Sequence, residues 1–234
     1  MRLLAFETSA KAASVALGEE DRLLGESYQN TGLTHSQTLM TMAENLIAGC
    51  GLTPEQIQAV AVAAGPGSFT GVRIGVAAAK GFAWGRDIPC VGVSTLEAMA
   101  LNLAIWEGYV LPVMDARRQQ VYTALFRAEK GQLQTVAEDR AISLEALGEE
   151  IKNLLSPVFL VGDGSVLCYN TLKEAVPALV LPPEHRMHQR AAGVALAARK
   201  HLQSGDPGDG STLTPNYLRV SQAERERMAR EQTT

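Results

Sequence analysis

Short apolar blocks and longer helical stripes follow one another in a fixed order along this chain. Arg2 to Glu7, Ala12 to Gly18 and Arg22 to Tyr28 read as three strands, separated by polar or small turn residues. Leu39, Met42, Leu46 and Ile47 then recur at helical spacing, which predicts a helix from Thr34 to Gly49. Thr34 and Gln37 form a T-x-x-Q pair, so a capping box is expected at its start. An apolar strand (Ala59 to Ala63), a helix (Phe69 to Trp84), a second apolar strand (Pro89 to Val93) and a helix from about Thr95 complete the first half.

The second half repeats the order. Strands are expected at Tyr109 to Met114, Gln120 to Arg127 and Gln132 to Glu138, then a helix from Ser143 to Leu155. A strand (Val158 to Val161), a helix (Ser165 to Ala175), a strand (Ala178 to Leu181) and a helix (His188 to Gln203) follow. Three strands and then alternating helix and strand, twice over, is the order of a duplicated α/β domain. The repeat is one of pattern and not of identity. It divides the chain into a first lobe over 1–104, a second over 105–204, and a linker and tail over 205–234. Gly205 to Gly210 reads as the flexible part of that tail, and Ala223 to Glu231 as a charged helix or extension.

Composition narrows the function. At 234 residues, 46% hydrophobic and 20% charged, the chain can bury an ordinary core. The net charge of −4 argues against this chain supplying the main surface for a polyanion such as a nucleic acid. The apolar run after Met1-Arg2 is too short for a signal peptide, and no apolar stretch is long enough to span a membrane. Cys50, Cys90 and Cys168 are odd in number and far apart, which fits reduced, buried thiols and a cytoplasmic protein.

The segment from Ala64 to Gly75 (AGPGSFTGVRIG) joins an expected strand to an expected helix. Its glycines permit a tight turn, and a helix N-terminus so built can hold an anion, with Gly65, Gly67, Ser68, Thr70 and Arg73 as candidate anion or nucleotide contacts. It is neither a P-loop nor a G-x-G-x-x-G fingerprint, and spacing alone favours a turn that needs glycine only for geometry. The helix beyond it carries Gly71, Gly75 and Ala79 four apart, beside Ala78 and Phe82. Interior glycine costs about 1 kcal/mol against alanine, so the stripe needs a close neighbour. That neighbour is either this chain's own sheet or a partner. The preceding helix has a second apolar strip, Met40, Ala43 and Ile47, apart from its Leu39-Met42-Leu46 face. A partner interface is therefore expected on Met40, Ala43, Ile47, Gly71, Gly75, Ala78 and Phe82.

Glu7-Thr8-Ser9 and Asp115-Ala116-Arg117 occupy matching turns of the two halves and put a carboxylate at each, although a polar turn is the better reading of either alone. His35, His185, His188 and His201 lack metal-ligand spacing, and no serine has a base nearby. No catalytic residue, metal ligand or cofactor is expected.

Several strings carry a resemblance to one family. They are LLAFETS from Leu3 with SVAL from Ser14, THS from Thr34, GPGSFTGVRIG from Gly65, GVSTL from Gly92, DAR from Asp115 with Val121-Tyr122, and PNYLR from Pro215. Together they span nearly the whole chain and resemble the TsaB/YeaZ family. That resemblance implies an actin-like, Hsp70-like (ribonuclease H-like) two-lobe fold. It implies a non-catalytic scaffold or activating subunit in the complex that forms N6-threonylcarbamoyladenosine in tRNAs reading codons that begin with A. The expected partners are a TsaD-like catalytic subunit and a TsaE-like ATPase, with tRNA reached only through the complex; a homodimer that uses the same apolar helices on itself is a third, competing reading. Thr95 and Met99 stand where the catalytic relative carries two metal-binding histidines, and Glu7 stands where the family more often has Asp. The competing reading is an actin-fold ATPase or metal-independent peptidase acting on its own.

Overall fold

Successive residues of a strand face opposite sides of a sheet, and β1 (Arg2–Glu7) uses both sides to bury apolar groups. In the computed structural model, which describes residues 1–205 and 208–219, β1 lies at the centre of a five-stranded sheet. Antiparallel β2 (Ala13–Glu19) and β3 (Arg22–Gln29) lie on one side of it, and parallel β4 (Ala59–Gly65) and β5 (Cys90–Ser94) on the other, in the order β3-β2-β1-β4-β5. The second sheet repeats this wiring with β6 (Gly108–Asp115), β7 (Gln120–Glu129), β8 (Gln132–Ser143), β9 (Val158–Val161) and β10 (Leu179–Val180), ordered β8-β7-β6-β9-β10. The duplication read from the sequence is thus a duplication of sheet topology.

Side-chain size decides what covers each face of the first sheet. Leu4, Phe6, Val60 and Val62 meet α1 (His35–Gly49) and α2 (Phe69–Trp84). The other face presents Ala5, Ala59, Ala61 and Ala63, and the small residues let α6 (Ala191–Gln203) lie close, with Ala191, Val194, Ala197 and Ala198 fully buried on it. This corrects the expected division of the chain: α6, the last helix of the second half, packs on the first sheet. The reason is polar as well as steric. Glu26 of β3 accepts from Arg190 Nη2 at 2.6 Å and from the Ala192 N–H at 3.1 Å, while Ser14 Oγ accepts from the Ala191 N–H at 3.1 Å. These oxygens satisfy the otherwise unpaired N–H groups of the α6 N-terminus.

The exchange is reciprocal. Helix α3 (Thr95–Leu101) follows the first sheet but sends Leu96, Met99 and Ala100 into a cluster with Val110, Met114 and Ala124 of the second. Elsewhere α4 (Leu144–Ile151) covers the second sheet with Leu144, Leu147 and Ile151, alongside α5 (Ser165–Leu172). Helix α4 ends earlier than its pattern suggested. The capping box expected at Thr34 is absent, since the Thr34 side chain makes no cap bond; Gln37 N–H donates to the Thr34 carbonyl instead.

Beyond the stretch Gly205 to Gly210 that was expected to be flexible, residues 211–219 are held against the first lobe. Lys80 Nζ donates to the Leu213 carbonyl at 3.0 Å, and the Asn216 N–H donates to the Ala64 carbonyl at 2.6 Å, which ties this segment along the end of β4. The expected charged extension over 223–231 lies outside the described residues.

Candidate functional site

The turn after β1, the loop before α2, the turn between β6 and β7 and the strap over 215–219 converge on one cleft of about 540 Å³ between the lobes. On the first lobe the parts are stitched to one another. Thr8 Oγ1–H donates to the Gly71 carbonyl at 2.8 Å, the Ser9 N–H donates to Glu7 Oε1 at 2.6 Å, and the Ser68 N–H donates to the Ser9 carbonyl at 2.6 Å. Ser68 also caps α2, its Oγ accepting from the Gly71 N–H at 3.3 Å. On the second lobe Asp115 Oδ1 accepts from the Arg117 N–H at 2.7 Å. Arg117, Arg118 and Gln119 hold φ values of +63°, +55° and +58°, a run of left-handed backbone that residues with a Cβ adopt only when their surroundings enforce it.

Burial dominates the electrostatics. Glu7 is 1% exposed, and loss of solvent raises its carboxyl to about 7 against the pull of its bond with Ser9. Asp163 is raised in the same way, chiefly by desolvation, although it opens onto the cleft. Asp139 is also raised by desolvation, and Ser94 Oγ–H donates to it at 2.6 Å. The Cys90 and Cys168 thiols are pushed up to about 11 and about 12 by burial, so neither is a thiolate nucleophile near neutral pH. Among the described residues no group of three or more His, Cys, Asp or Glu side chains could hold a metal.

Of the candidate anion contacts, Gly67, Ser68 and Thr70 line the cleft, whereas Gly65 and Arg73 do not. The strap has taken both. Gly65 sits at φ +120°, and a Cβ there would collide with the Asn216 backbone. The Arg73 guanidinium lies 3.7 Å over the Phe69 ring, and its Nε donates to Tyr217 Oη at 2.7 Å. Pattern reading missed Ser9 and Lys11, whose turn it noted only for the carboxylate, and Arg219, which sat in the PNYLR string without an assigned role. All three line the cleft with Arg117.

The candidate interface residues are also redistributed. Ala43, Ile47 and Phe82 are 1%, 2% and 8% exposed in the core under α1 and α2. Gly71 and Gly75 face β1, where a Cβ at either would meet Thr8 far inside contact distance. The inward explanation of the glycine stripe is the one realised. Met40 is exposed and Ala78 half-buried. The outward face of α2 instead carries Ala77, Gly81 and Trp84, the last 89% exposed. A lone terminal tryptophan carries no periodic signal, which is why pattern reading passed over it.

The family described as "TsaD: tRNA N6-adenosine threonylcarbamoyltransferase" matches residues 29–227. The "tRNA threonylcarbamoyladenosine biosynthesis protein TsaB" of Bacillus subtilis is 33% identical over 225 residues, 96% of each chain. The chain belongs to the TsaB/YeaZ family. A solved structure of YeaZ from Pseudomonas aeruginosa superposes with a TM-score of 0.74 and 25% identity, covering 93% of this chain and 99% of that one. A hexokinase from Thermus thermophilus shares the fold alone, with a TM-score of 0.51 at 12% identity over 88% of this chain and 100% of that one. TsaB membership therefore comes with the actin-like α/β architecture and a part in threonylcarbamoyladenosine biosynthesis. No helix among the described residues is long and apolar enough to cross a membrane.

Proposed function

We propose that this TsaB chain is the non-catalytic scaffold and activating subunit of the threonylcarbamoyladenosine-forming complex. It pairs with a TsaD-like catalytic subunit, a TsaE-like ATPase docks on the pair, and tRNA is engaged through the complex. The observation that carries the reading is the start of α3. Thr95 and Met99 occupy the positions where the resemblance puts the catalytic relative's histidines, and both are sealed into the core at 0% and 1% exposure. A hydroxyl and a thioether are poor substitutes for two imidazoles on a hard or borderline metal.

The pairing surface in this reading is the outward side of α1 and α2, centred on Met40, Ala77, Ala78, Gly81 and Trp84. Small residues there allow close helix approach, and the exposed Trp84 and Met40 supply anchors for a partner pocket. The experiment is reconstitution with purified TsaD and TsaE homologues, tRNA and the threonylcarbamoyl donor. The chain alone yields no modified tRNA and hydrolyses no ATP, and its omission from the full mixture abolishes modification. Modification or ATP turnover by the chain alone would instead establish an independent enzyme.

A further inference from the structure

We infer that a pocket at the end of the first sheet remote from the cleft docks one apolar side chain of a partner polypeptide, set beside a basic residue. The pocket is made by missing side chains. Leu3, Gly18 and Leu23 lie in one row across β1, β2 and β3, and Gly18 leaves a gap between the two leucines. Over that row α6 presents Ala192, Ala195, Leu196 and Arg199, the i, i+3, i+4, i+7 spacing of one helix face, and the two alanines leave room. A bulge aims Leu23 at the gap. The register shifts between Leu17 and Gly18, so Gly18 pairs with Leu23, while Leu24 turns to the opposite face and its core. Close packing does not demand the glycine, since a Cβ at 18 would come no nearer than 3.7 Å to the Arg22 carbonyl.

Size decides the class of occupant. The volume of about 140 Å³ holds a group of about six carbons, whereas sites for whole small molecules run to roughly 300–1,000 Å³. That is room for one side chain. The apolar surface also continues past the hole, with Met1, Leu23 and Leu196 45%, 48% and 44% exposed around it. An apolar centre with charged groups at its edge is the anatomy of a protein contact.

Charge decides what flanks the docked residue. Arg199 Nη2 pairs with Asp21 Oδ1 at 2.6 Å, and Arg199 Nη1 donates to the Glu20 carbonyl. Arg22 is held by Glu19 at 3.2 Å. The Glu20 carboxylate has no partner among the described residues and is the uncompensated charge among the lining side chains. A Lys or Arg next to the docked residue meets it. Helices α1 and α2 cover the other face of this sheet, so the pocket can be filled whether or not the chain is paired through them.

The test is methyl NMR of the full chain, following Leu23, Ala192, Ala195 and Leu196. The probes are the capped tripeptides Lys-Leu-Lys, Lys-Ala-Lys and Glu-Leu-Glu, each titrated to about 10 mM. Lys-Leu-Lys is expected to shift these methyls with roughly millimolar affinity, and the other two to bind at least about fivefold more weakly. Isopentylamine carries the same apolar group and charge without a peptide backbone, and it too should bind more weakly. Gly18→Val fills the gap and should abolish the shifts with melting unchanged or raised. Glu20→Lys, at an exposed position, should reverse the preference between the Lys and Glu peptides. Absence of shifts with Lys-Leu-Lys, equal binding of Lys-Ala-Lys, or an unchanged charge preference in Glu20→Lys would each overturn the inference. So would equal affinity for isopentylamine, which makes this a small-molecule pocket, or shifts that grow with protein concentration alone, which put a second copy of the chain there.

Discussion

Thr8 donates its hydroxyl to the Gly71 carbonyl at 2.8 Å, and the Thr8 carbonyl lies against the Gly71 Cα. One residue of β1 therefore sets the position of α2. A methyl group at 71 would meet that carbonyl well under 3.0 Å, and one at 75 would meet the Thr8 hydroxyl. Gly71→Ala and Gly75→Ala should each destabilise the isolated chain by about 3 kcal/mol or more through overpacking against backbone or a fixed hydroxyl. Gly81, on the same helix, has nothing within 4 Å of its would-be Cβ. Gly81→Ala should therefore stabilise the isolated chain, by up to about 1 kcal/mol. Denaturant titration of the three variants checks the contrast, and equal effects at 71 and 81 would refute it.

Glu7 makes stability depend on pH. Its carboxyl titrates near 7 in the folded chain, against 4.5 ordinarily, because burial disfavours the charge. Between those values the native state keeps a proton that the unfolded chain releases, so stability falls as pH rises from about 4.5 to about 7 and levels off above. The full shift is on the order of 3 kcal/mol. Glu7→Gln keeps an acceptor for the Ser9 N–H and cannot ionise. It should abolish that component of the slope and leave the variant more stable than the parent at pH 8, as read by urea midpoints across pH. A slope unchanged by the substitution would assign the titration to another group, Asp163 being the neighbouring carboxyl that acts on Glu7.

The pairing proposal separates from stability at Met40 and Trp84. Both are exposed, so Met40→Asp and Trp84→Ala remove nothing from the core and should shift melting by less than about 0.5 kcal/mol equivalent. Each should weaken co-elution with the TsaD homologue at least about tenfold if it is a central anchor. Phe82→Asp, by contrast, buries an unpaired charge in the core and should unfold the chain. Retention of partner binding by both exposed variants would move the interface elsewhere.

Much of this architecture was legible because strand and helix periods are local properties. The order β1 to β10 follows from alternation and apolar runs, and its doubling from their repetition. The exchange of α3 and α6 between sheets was not legible, since it depends on Glu26 meeting Arg190 across 164 residues and on the alanine face of β1 and β4. The glycine stripe was recognised as needing a close neighbour. Which neighbour was a question of rotation about the α2 axis, and Thr8 answers it. The cleft was half-read for a similar reason: both turns were noticed, but nothing in their spacing showed that the strap would claim Gly65 and Arg73 and bring Arg219 beside Arg117.

That strap leads to the final prediction. From β4 the chain 215–219 crosses to the second lobe. The Asn216 N–H bonds the Ala64 carbonyl at 2.6 Å, the Tyr217 ring stacks on Phe69 at 4.8 Å, and Arg219 Nη1 donates to the Ala116 carbonyl at 2.8 Å. Tyr217 is the middle anchor. Its loss removes a ring contact worth about 1 kcal/mol and the bond to Arg73, while Gly65 still leaves room for the Asn216 carbonyl. Tyr217→Ala should therefore loosen the strap without unfolding either sheet. In hydrogen exchange the Asn216 amide should lose protection by about fivefold, the rate equivalent of about 1 kcal/mol, while the β1 and β6 amides keep theirs. Tyr217→Phe retains the stack, loses only the hydroxyl bond, and should fall between the two. If Asn216 exchanges at the parent rate in Tyr217→Ala, its bond to Ala64 holds the strap alone and the aromatic stack adds nothing.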